Sequence, residues 1–300
     1  GATTVICSDK TGTLTRNEMT ARRVVSAAGT LIAEGAGYAP EGALALPPGH
    51  AAPSPSAEWL LQCGLLCNDA LLLERDGHWQ VDGDPMEGAL IALAAKAGLT
   101  HATVRATWPR LDEIPFDAAY RYMATLHRAP DGGAVLFVKG APEQILALCG
   151  RQLGAGGEAE PLDHRYWDDA IADAAAAGER VLGFAIRHLE TEPAALGFEH
   201  VGQLAFLGVI GFIDPPRQEA IAAVADCHAA GIAVKMITGD HGATAAAIAR
   251  QLGIAENPQV VTGRDLDHVS DADLPALARQ ASVFARTSPE HKLRVVGALQ

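Results

Sequence analysis

Residues 3–15 read TTVICSDKTGTLT, and this stretch decides the expected fold. Thr3 to Ser8 is a short run of apolar and β-branched residues, which is typical of a buried strand. The run ends abruptly at Asp9-Lys10-Thr11-Gly12-Thr13, a polar segment with a glycine that is typical of a loop. Functional side chains of α/β proteins collect where such strands end, so we expect chemistry at Asp9.

Two later stretches repeat this order of apolar strand, polar turn and helix. Ile232 to Ile237 runs into Thr238-Gly239-Asp240 and then into a helical pattern at 243–252. Ser282 to Ala285 leads through a polar turn into a helical pattern at 290–299. Three such units predict an α/β fold with a doubly wound parallel sheet.

About 190 residues with a different pattern of apolar and polar residues separate the first unit from the other two, which is too long for a single crossover connection. We therefore expect an inserted α+β domain. Its predicted strands are 78–81, 135–138 and 181–186, and its predicted helices are 57–66, 87–97, 143–148 and 166–177. The Gly- and Pro-rich segments 35–55 and 150–161 are predicted to be surface loops.

The composition excludes several classes of protein. The chain has 300 residues, 49% of them hydrophobic and 20% charged, which excludes disordered and fibrous proteins. Its net charge is −13 and no basic patch is concentrated in the sequence, so we expect no nucleic-acid partner. The apolar run Leu204 to Ile213 has half the length needed to cross a bilayer, and no export signal is visible, so we expect no transmembrane helix here.

The cysteines and histidines do not form a metal-binding pattern. Five cysteines argue against a disulfide framework and for a reducing compartment, with the cytosol as the default. Cys63 and Cys67 are predicted to be free thiols on the buried face of one helix. The eleven histidines are scattered, without a spacing typical of catalytic zinc.

Asp9 is the candidate nucleophile. A carboxylate at a strand end can attack phosphorus, with Lys10 offsetting charge, Gly12 letting backbone amides approach a phosphate, and Thr11 and Thr13 donating hydrogen bonds. An isolated Asp-x-Thr equally fits an Asx turn. The complete string CSDKTGTLT at 7–15, however, resembles the phosphorylation motif of P-type ATPases at every position.

Three further segments resemble motifs of the same family, in the same order. They are Asp214-Pro215-Pro216-Arg217, Thr238-Gly239-Asp240 and Pro289-Glu290-His291-Lys292. The resemblance implies a haloacid-dehalogenase-like phosphorylation (P) domain at 1–20 and 213–300, interrupted by a nucleotide-binding (N) domain at 21–212. It also implies that Thr238 hydrogen-bonds the phosphoryl group and that Lys292 neutralises it.

Other segments resemble the family's nucleotide pocket. Phe116 and Arg121, in IPFDAAYRYM, resemble the adenine pocket, where an aromatic ring stacks on the purine and a cation meets a phosphate. The motif KGAPE at 139–143 implies that Lys139 and Gly140 lie at the pocket wall. A core phenylalanine with an arginine at its rim, and a Gly turn with Pro142 opening a helix, are the structural alternatives.

Glu87 and Arg180 complete the expected pocket, and each has a structural alternative. GDPMEGAL at 83–90 resembles the segment whose glutamate contacts nucleotide, but Asp84, Pro85 and Glu87 also fit a helix capping box. Arg180 resembles the arginine that reaches the ATP phosphates near the hinge, where the resemblance implies that Asp214 and Arg217 also bind the nucleotide. A surface salt bridge also fits it.

The resemblance implies that ATP phosphorylates Asp9 and that Asp9 and a Thr11 carbonyl hold Mg²⁺. A further Mg²⁺-binding GDGxND segment is expected beyond residue 300, so Mg²⁺ binding and phosphorylation should be impaired in this chain alone. The motifs resemble type II cation pumps, which include calcium pumps. We expect a soluble monomeric fragment on the cytoplasmic face of a pump, whose transported cation and whose transmembrane and actuator domains lie elsewhere.

Two other functions remain open from the sequence. A soluble phosphatase of the same superfamily would share the nucleophile, but should carry a second Asp where Thr11 stands, to activate water. A non-catalytic nucleotide-binding module would lose nothing on substitution of Asp9 by Asn, whereas a phosphoryl acceptor would lose labelling.

Overall fold

The computed structural model describes residues 3–50 and 52–300, which form two compact units. The first, called here the parallel unit, contains the chain up to Glu18, Ala175–Glu179 and Asp214–Gln300. The second, called here the antiparallel unit, contains Met19–Ala174 and Arg180–Ile213. Within the described ranges, no helix has the length and apolar character required to cross a membrane.

The elements of the described residues alternate irregularly along the chain. The strands are β1 Val5–Asp9, β2 Thr20–Ser26, β3 Gly29–Ala33, β4 Leu44–Ala45, β5 Leu71–Arg75, β6 His78–Asp82, β7 Arg110–Asp117, β8 Tyr122–Arg128, β9 Ala134–Gly140, β10 Cys149–Leu153, β11 Ala159–Pro161, β12 Arg180–Leu189, β13 Leu204–Ile213, β14 Ala233–Ile237, β15 Val260–Thr262 and β16 Val283–Ala285. The α-helices are α1 Pro55–Leu66, α2 Pro85–Lys96, α3 His101–Thr107, α4 Pro142–Ala147, α5 His164–Ala176, α6 Gln218–Ala229, α7 Gly242–Gln251, α8 Gly263–His268, α9 Leu274–Gln280 and α10 Pro289–Leu299.

The parallel unit contains a four-stranded sheet in the order β1-β14-β16-β15, in which every neighbouring pair is parallel. The register pairs Asp9 with Ile237 and Ile237 with Phe284. Ile237 and Phe284 are buried against Leu266 and Val295, which belong to α8 and α10. The carboxyl ends of β1, β14 and β16 therefore meet at one edge, as the three repeated strand, turn and helix patterns predict.

A tight turn follows β1 and fixes the direction of the chain after Asp9. The Thr15 amide donates a hydrogen bond to the Lys10 carbonyl at 3.1 Å. Gly12 has φ = 76°, in the left-handed region where a side chain is strained, so glycine is needed there. The turn is held from outside by the Arg217 amide, which donates to the Leu14 carbonyl at 3.0 Å.

The antiparallel unit contains a sheet in the order β4-β3-β2-β13-β12-β9-β8-β7, with antiparallel neighbours throughout. β10 joins it by pairing parallel to β13, and β11 pairs antiparallel to β10. In β9, Phe137 faces the core beneath α1 and α2, whereas Leu136 and Val138 face the core beneath α4 and α5. Because helices cover both faces, β9 is buried along its whole length and its sequence shows no polar alternation.

The elements predicted within 21–212 are present, with boundaries shifted by a few residues. The loop predicted at 150–161 is wrong in part, since β10 and β11 form a hairpin there. Its Gly-rich segment is the hairpin turn, in which the Gly154 amide donates to the Glu158 carbonyl at 2.7 Å and Gly157 has φ = 94°. The predicted loop 35–55 likewise contains the short strand β4.

The capping box predicted at the start of α2 is only half formed. Asp84 is the N-cap, and its Oδ1 accepts hydrogen bonds from the amides of Met86 and Glu87 at 2.8 and 3.1 Å. The Glu87 carboxylate does not return to the cap; it accepts instead from the amides of Asp69 and Ala70. Glu87 thus binds the backbone at residues 69–70 and not its own helix cap.

Candidate functional site

Asp9 stands at the carboxyl end of β1 with a lysine directly against it. Its Oδ1 accepts a hydrogen bond from the Lys10 amide at 3.0 Å, and its Oδ2 accepts one from Lys292 Nζ at 2.5 Å. The Asp9 side chain is 51% exposed and that of Lys292 is 36% exposed. Lys292 lies in the first turn of α10, which Ser288 caps. An accessible carboxylate and a fixed ammonium thus meet from positions 283 residues apart.

The Lys10 side chain does not contact Asp9, contrary to the expectation that it offsets charge there. It is buried, and its Nζ lies 2.5 Å from Asp240 Oδ2 and 3.8 Å from Asp214 Oδ2. A buried ammonium needs carboxylate partners, and these two supply them. Lys10 therefore connects the turn after β1 to the segments that follow β13 and β14. Thr11 and Thr13, on the same turn, are exposed.

Asp214 and Arg217 hold the turn that carries Asp9. Asp214 Oδ2 accepts from Thr15 Oγ1 at 2.6 Å, and its Oδ1 accepts from the Asn17 amide at 2.9 Å. Arg217 Nε donates to the Thr15 carbonyl at 2.9 Å, and its Nη2 donates to the Gly12 carbonyl at 3.3 Å. These contacts give both residues a positioning role within the parallel unit.

The segment Thr238-Gly239-Asp240 follows β14 at the same edge of the sheet as Asp9. Thr238 is buried, and its Oγ1 accepts a hydrogen bond from the Asp240 amide at 3.1 Å. The Thr287 hydroxyl donates to the Thr238 carbonyl at 3.0 Å, which ties the segment to the turn after β16. Apart from Gly239 itself and its two chain neighbours, no heavy atom of the described residues lies within 4 Å of where a Gly239 Cβ would stand. The backbone at Gly239 is therefore open to a ligand.

The donor set around Asp9 does not complete a magnesium site. Mg²⁺ takes six oxygen ligands in near-octahedral geometry. Of the expected ligands, Asp9 has both carboxylate oxygens in hydrogen bonds, to the Lys10 amide and to Lys292, and Thr11 adds a carbonyl. Within the described ranges, no cluster of three or more His, Cys, Asp or Glu side chains could hold a metal ion. The residues present do not fit a complete ion site by themselves.

The antiparallel unit contains a cavity of about 630 Å³, a volume in the range of small-molecule sites. Its walls are mainly apolar, with several charged groups among them. It is lined by Asp84, Met86, Glu87, Phe116, Arg121, Lys139, Gly140, Ala141, Pro142, Glu143, Arg180, Val181 and Leu182. All six residues of this unit that the sequence proposes for nucleotide binding are therefore brought together. An apolar wall with three cations suits a ligand that joins an aromatic ring to anionic groups.

The loop between β7 and β8 presents Phe116, whose side chain is 63% exposed, to this cavity. The Asp117 carboxylate accepts from the Ala119 amide at 2.7 Å, an Asx turn that shapes the loop. Arg121 has φ = 57° and its amide donates to the Asp117 carbonyl at 2.7 Å. The Tyr120 hydroxyl donates to the Pro115 carbonyl at 2.7 Å. Tyr120, which the sequence reasoning missed, therefore anchors the residue next to Phe116.

Lys139 and Glu87 form a buried ion pair at the cavity wall. The Lys139 side chain is 8% exposed, and its ammonium contacts the Glu87 carboxylate, the Cys67 carbonyl and, at 3.5 Å, Met123 Sδ. The other Glu87 oxygen accepts from the amides of Asp69 and Ala70 at 2.9 and 3.1 Å. The pair is thus locked to residues 67–70, and its exposed edge faces the cavity.

Gly140 ends β9 where β8 comes very close. A Cβ built on Gly140 would stand 2.3 Å from the Arg121 carbonyl oxygen and 2.7 Å from Tyr122 Cα. Only glycine lets the two strands approach so closely while Arg121 reaches Glu143, with its Nη1 2.8 Å from Glu143 Oε1. Glu143 is the last residue of the KGAPE motif and was not predicted to be a site residue. Here it forms part of the cavity rim.

Comparison with known proteins places the chain in a family. Residues 56–219 match the family model described as P-type ATPase, cytoplasmic domain N. The whole chain aligns with the cation-transporting ATPase pma1 of Synechocystis sp. at 44% identity, with the probable cation-transporting ATPase F of Mycobacterium tuberculosis at 44%, and with a calcium-transporting ATPase of Bacillus subtilis at 35%. It covers 34% of the length of each, about one third of these curated relatives.

The family model covers more than half of the chain and includes every cavity residue named above. It confirms the resemblance that the motifs indicate. The mixed α/β architecture, with one parallel and one mainly antiparallel sheet, is consistent with it. The chain therefore belongs to the P-type ATPase family.

Proposed function

We propose that the chain binds ATP in the cavity of the antiparallel unit and accepts the γ-phosphoryl group on Asp9, as the cytoplasmic part of a cation-transporting ATPase. In this proposal residues 1–20 and 213–300 form a haloacid-dehalogenase-like phosphorylation domain, and residues 21–212 form the inserted nucleotide-binding domain. The transported cation, the transmembrane domain and the actuator domain belong to the rest of the full-length protein. The names of the relatives support the transport function.

The contact between Asp9 and Lys292 carries the proposal. Phosphoryl transfer spreads negative charge over the transferred group, so it needs a nucleophile with a fixed cation beside it. Lys292 supplies that cation at 2.5 Å from the carboxylate. Thr238 and Gly239 add a hydroxyl and an open backbone at the same sheet edge. The proposed role of Asp240 is to hold Lys10, and that of Asp214 and Arg217 is to hold the turn.

The transfer step forms one bond and breaks one bond. An Asp9 carboxylate oxygen bonds to the γ-phosphorus as the bond from that phosphorus to the bridging oxygen breaks, which releases ADP. A carboxylate has no proton to lose, so no general base is required. Hydrolysis of the resulting acyl phosphate does need a base to activate water, and the Thr11 hydroxyl is a poor one. We infer that the aspartyl-phosphate is long-lived, as a transport intermediate must be.

The cavity supports ATP as the phosphoryl donor. Phe116 offers an exposed ring for the adenine, and Arg121, Lys139 and Arg180 offer cations for its phosphates or their surroundings. Mg²⁺ is proposed as the cofactor of the full-length protein, since Asp9 and Thr11 alone do not complete its site.

Phosphorylation of the full-length protein tests the proposal. Membranes containing the wild-type protein are incubated with ³²P-labelled ATP, quenched in acid and treated with hydroxylamine, which releases acyl phosphates. We expect an acid-stable, hydroxylamine-sensitive label that Asp9→Asn abolishes. Asp76→Asn is the matched control, since Asp76 lies in the turn between β5 and β6. Persistent labelling of Asp9→Asn would overturn the assignment.

Calorimetric titration of ATP into this chain tests the cavity separately. We expect saturable binding that Phe116→Ala weakens by about tenfold or more, because a stacking ring contributes on the order of 1–3 kcal/mol. Leu71→Ala is the control, because Leu71 is also an exposed apolar side chain but lies outside the cavity. Equal affinity of all three proteins would place ATP elsewhere.

A further inference from the structure

A second cavity of the antiparallel unit shares no residue with the proposed nucleotide cavity. Its volume is about 370 Å³, and it is lined by Asp69, Arg105, Trp108, Arg110 and His127. The residues come from α3, from the segment after α1 and from β7 and β8. None of the functions proposed above uses it.

Two guanidinium groups converge in this cavity. Arg105 Nη2 and Arg110 Nη2 both donate to the Asn68 carbonyl oxygen, at 2.5 and 2.8 Å. Two donors on one acceptor atom bring two positive charges within a few ångströms of each other. Such a pair is costly in a partly dehydrated site unless negative charge compensates it.

The compensation is unequal between the two arginines. Arg110 Nη1 lies 2.6 Å from a carboxylate oxygen of Asp69 and 2.6 Å from one of Glu113. Arg105 has no carboxylate within salt-bridge distance among residues 3–50 and 52–300, and Asp69 and Glu87 act on it only from longer range. Burial and the neighbouring Arg110 charge lower the pKa of Arg105. Arg105 is therefore compensated only from a distance, whereas Arg110 has two carboxylates in direct contact.

The other walls add no positive or negative charge. Burial lowers the pKa of His127 to about 4, so this imidazole is neutral at pH 7. Its Nδ1 lies 2.9 Å from the Trp108 carbonyl oxygen and its Nε2 lies 3.0 Å from Thr125 Oγ1. The lining thus carries two positive charges and the one negative charge of Asp69. Trp108 gives it an apolar wall.

We propose that this second cavity binds a small ligand through a single phosphate or carboxylate group, with Arg105 as the main contact. An oxyanion beside Arg105 would give this guanidinium the close anionic partner that it lacks and accept from its remaining N–H donors. The Asp69 and Glu113 carboxylates beside Arg110 disfavour a chain of several phosphates, so a single anionic group at Arg105 is favoured. The apolar wall at Trp108 favours an apolar substituent on that group.

The structural alternative is that both arginines only cap α1. Their acceptors are the carbonyls of Leu66 and Asn68, at and just beyond the end of that helix, and cations there are favourable. A capping role predicts stability effects on substitution but no ligand. Binding measurements therefore separate the two interpretations.

The test is titration of the folded chain with inorganic phosphate and, separately, with benzoate, followed by the NMR signals of the Trp108 indole and the His127 ring. We expect saturable shifts with at least one probe, and at least a tenfold loss of affinity in Arg105→Gln. Arg165→Gln is the control, since Arg165 is 94% exposed on α5. Arg105→Lys keeps the charge and serves if the Gln variant does not fold.

The outcomes are distinguishable from those for ATP. Saturation by phosphate alone assigns a phosphate head group, and saturation by benzoate alone assigns a carboxylate. Both results should be unchanged in Phe116→Ala, which alters only the first cavity. Absence of saturation with either probe, or shifts unaffected by Arg105→Gln and Arg105→Lys, would overturn the proposal and leave the capping role.

Discussion

Among single residues, Glu87 shows how one side chain serves both stability and the proposed site. It neutralises Lys139, which is 8% exposed, and it accepts hydrogen bonds from the backbone amides of Asp69 and Ala70. Breaking a buried ion pair by removing one partner typically costs about 3–5 kcal/mol, because the other charge stays buried. Glu87 therefore stabilises the fold independently of any contact with a ligand.

We expect Glu87→Ala to lower the free energy of unfolding by about 3 kcal/mol, since it leaves the Lys139 ammonium uncompensated. Chemical denaturation followed by circular dichroism measures the change. Glu143→Ala is the matched control, because the Glu143 side chain is 64% exposed and its pairing with Arg121 should contribute no more than about 1 kcal/mol. Equal losses in the two variants would show that the buried pair contributes no special stability.

Tyr120 acts through Phe116 in the proposed site. Its hydroxyl holds the Pro115 carbonyl, and its ring packs against Tyr122 and Phe198 at centroid distances of 4.7 and 5.2 Å. We expect Tyr120→Phe to weaken ATP binding about three- to tenfold, because the lost hydrogen bond contributes about 1 kcal/mol to holding the loop in its conformation. Calorimetry measures the affinity. Tyr122→Phe, whose hydroxyl does not contact Pro115, should bind normally.

At the scale of elements, the close approach of β8 and β9 shapes the mouth of the proposed nucleotide cavity. We expect Gly140→Ala to destabilise the chain by about 2 kcal/mol or more and to weaken ATP binding, because a Cβ would force the Arg121 backbone away. Thermal unfolding and calorimetry measure both effects. Gly150→Ala in β10 is the control, since its Cβ would meet no atom within 4 Å; a similar loss there would contradict the steric explanation.

The elements also show what the sequence could predict. β1, β14 and β16 follow from short apolar runs that end in polar turns, because such runs have few other ways to be buried. The hairpin of β10 and β11 was missed because its strands are polar and its stability comes from pairing with β13, a contact between distant residues. The local pattern at Glu87 also fits a capping box, the structural alternative to a nucleotide contact, but tertiary contacts with Asp69 and Ala70 determine the direction of its side chain.

In the proposed site too, local sequence patterns predict some features and tertiary contacts determine the others. The motifs indicate Asp9, Lys292, Phe116 and Lys139. The structure brings Lys292 against Asp9 at the end of β1, and Phe116 and Lys139 line the cavity. The role of Lys10 could not be predicted locally, because Asp214 and Asp240 reach it from more than 200 residues away. Local spacing indicates which residues carry chemistry, but their partners depend on the three-dimensional fold.

For the whole molecule, His127 links stability to pH. Its pKa is lowered to about 4 from an ordinary value near 6.5, so between these values the unfolded chain binds a proton that the folded chain does not. Its contribution is therefore present above pH 6.5 and is lost as the pH falls towards 4. We expect the free energy of unfolding, measured by urea titration across this range, to fall less steeply with acid in His127→Gln than in the wild type. Exposed His78→Gln should keep the wild-type slope.

The pairing of Thr20 with Ile213 has a consequence for the order of folding. Thr20 lies next to the first residue of the antiparallel unit and Ile213 is its last residue, and the two are register partners on β2 and β13. Thr15 and Pro216 form a separate bridge within the parallel unit. Closing a disordered loop of some 200 residues costs about 3 kcal/mol more in chain entropy than closing one of a few residues. If the antiparallel unit folds first, its ends already meet and β1 can find β14 as though a short connection joined them. We therefore expect the parallel unit to refold after the antiparallel unit, and to refold more slowly when β13 is destabilised. Stopped-flow refolding of a Phe212→Ala variant measures this rate. An unchanged rate would mean that the two units assemble independently.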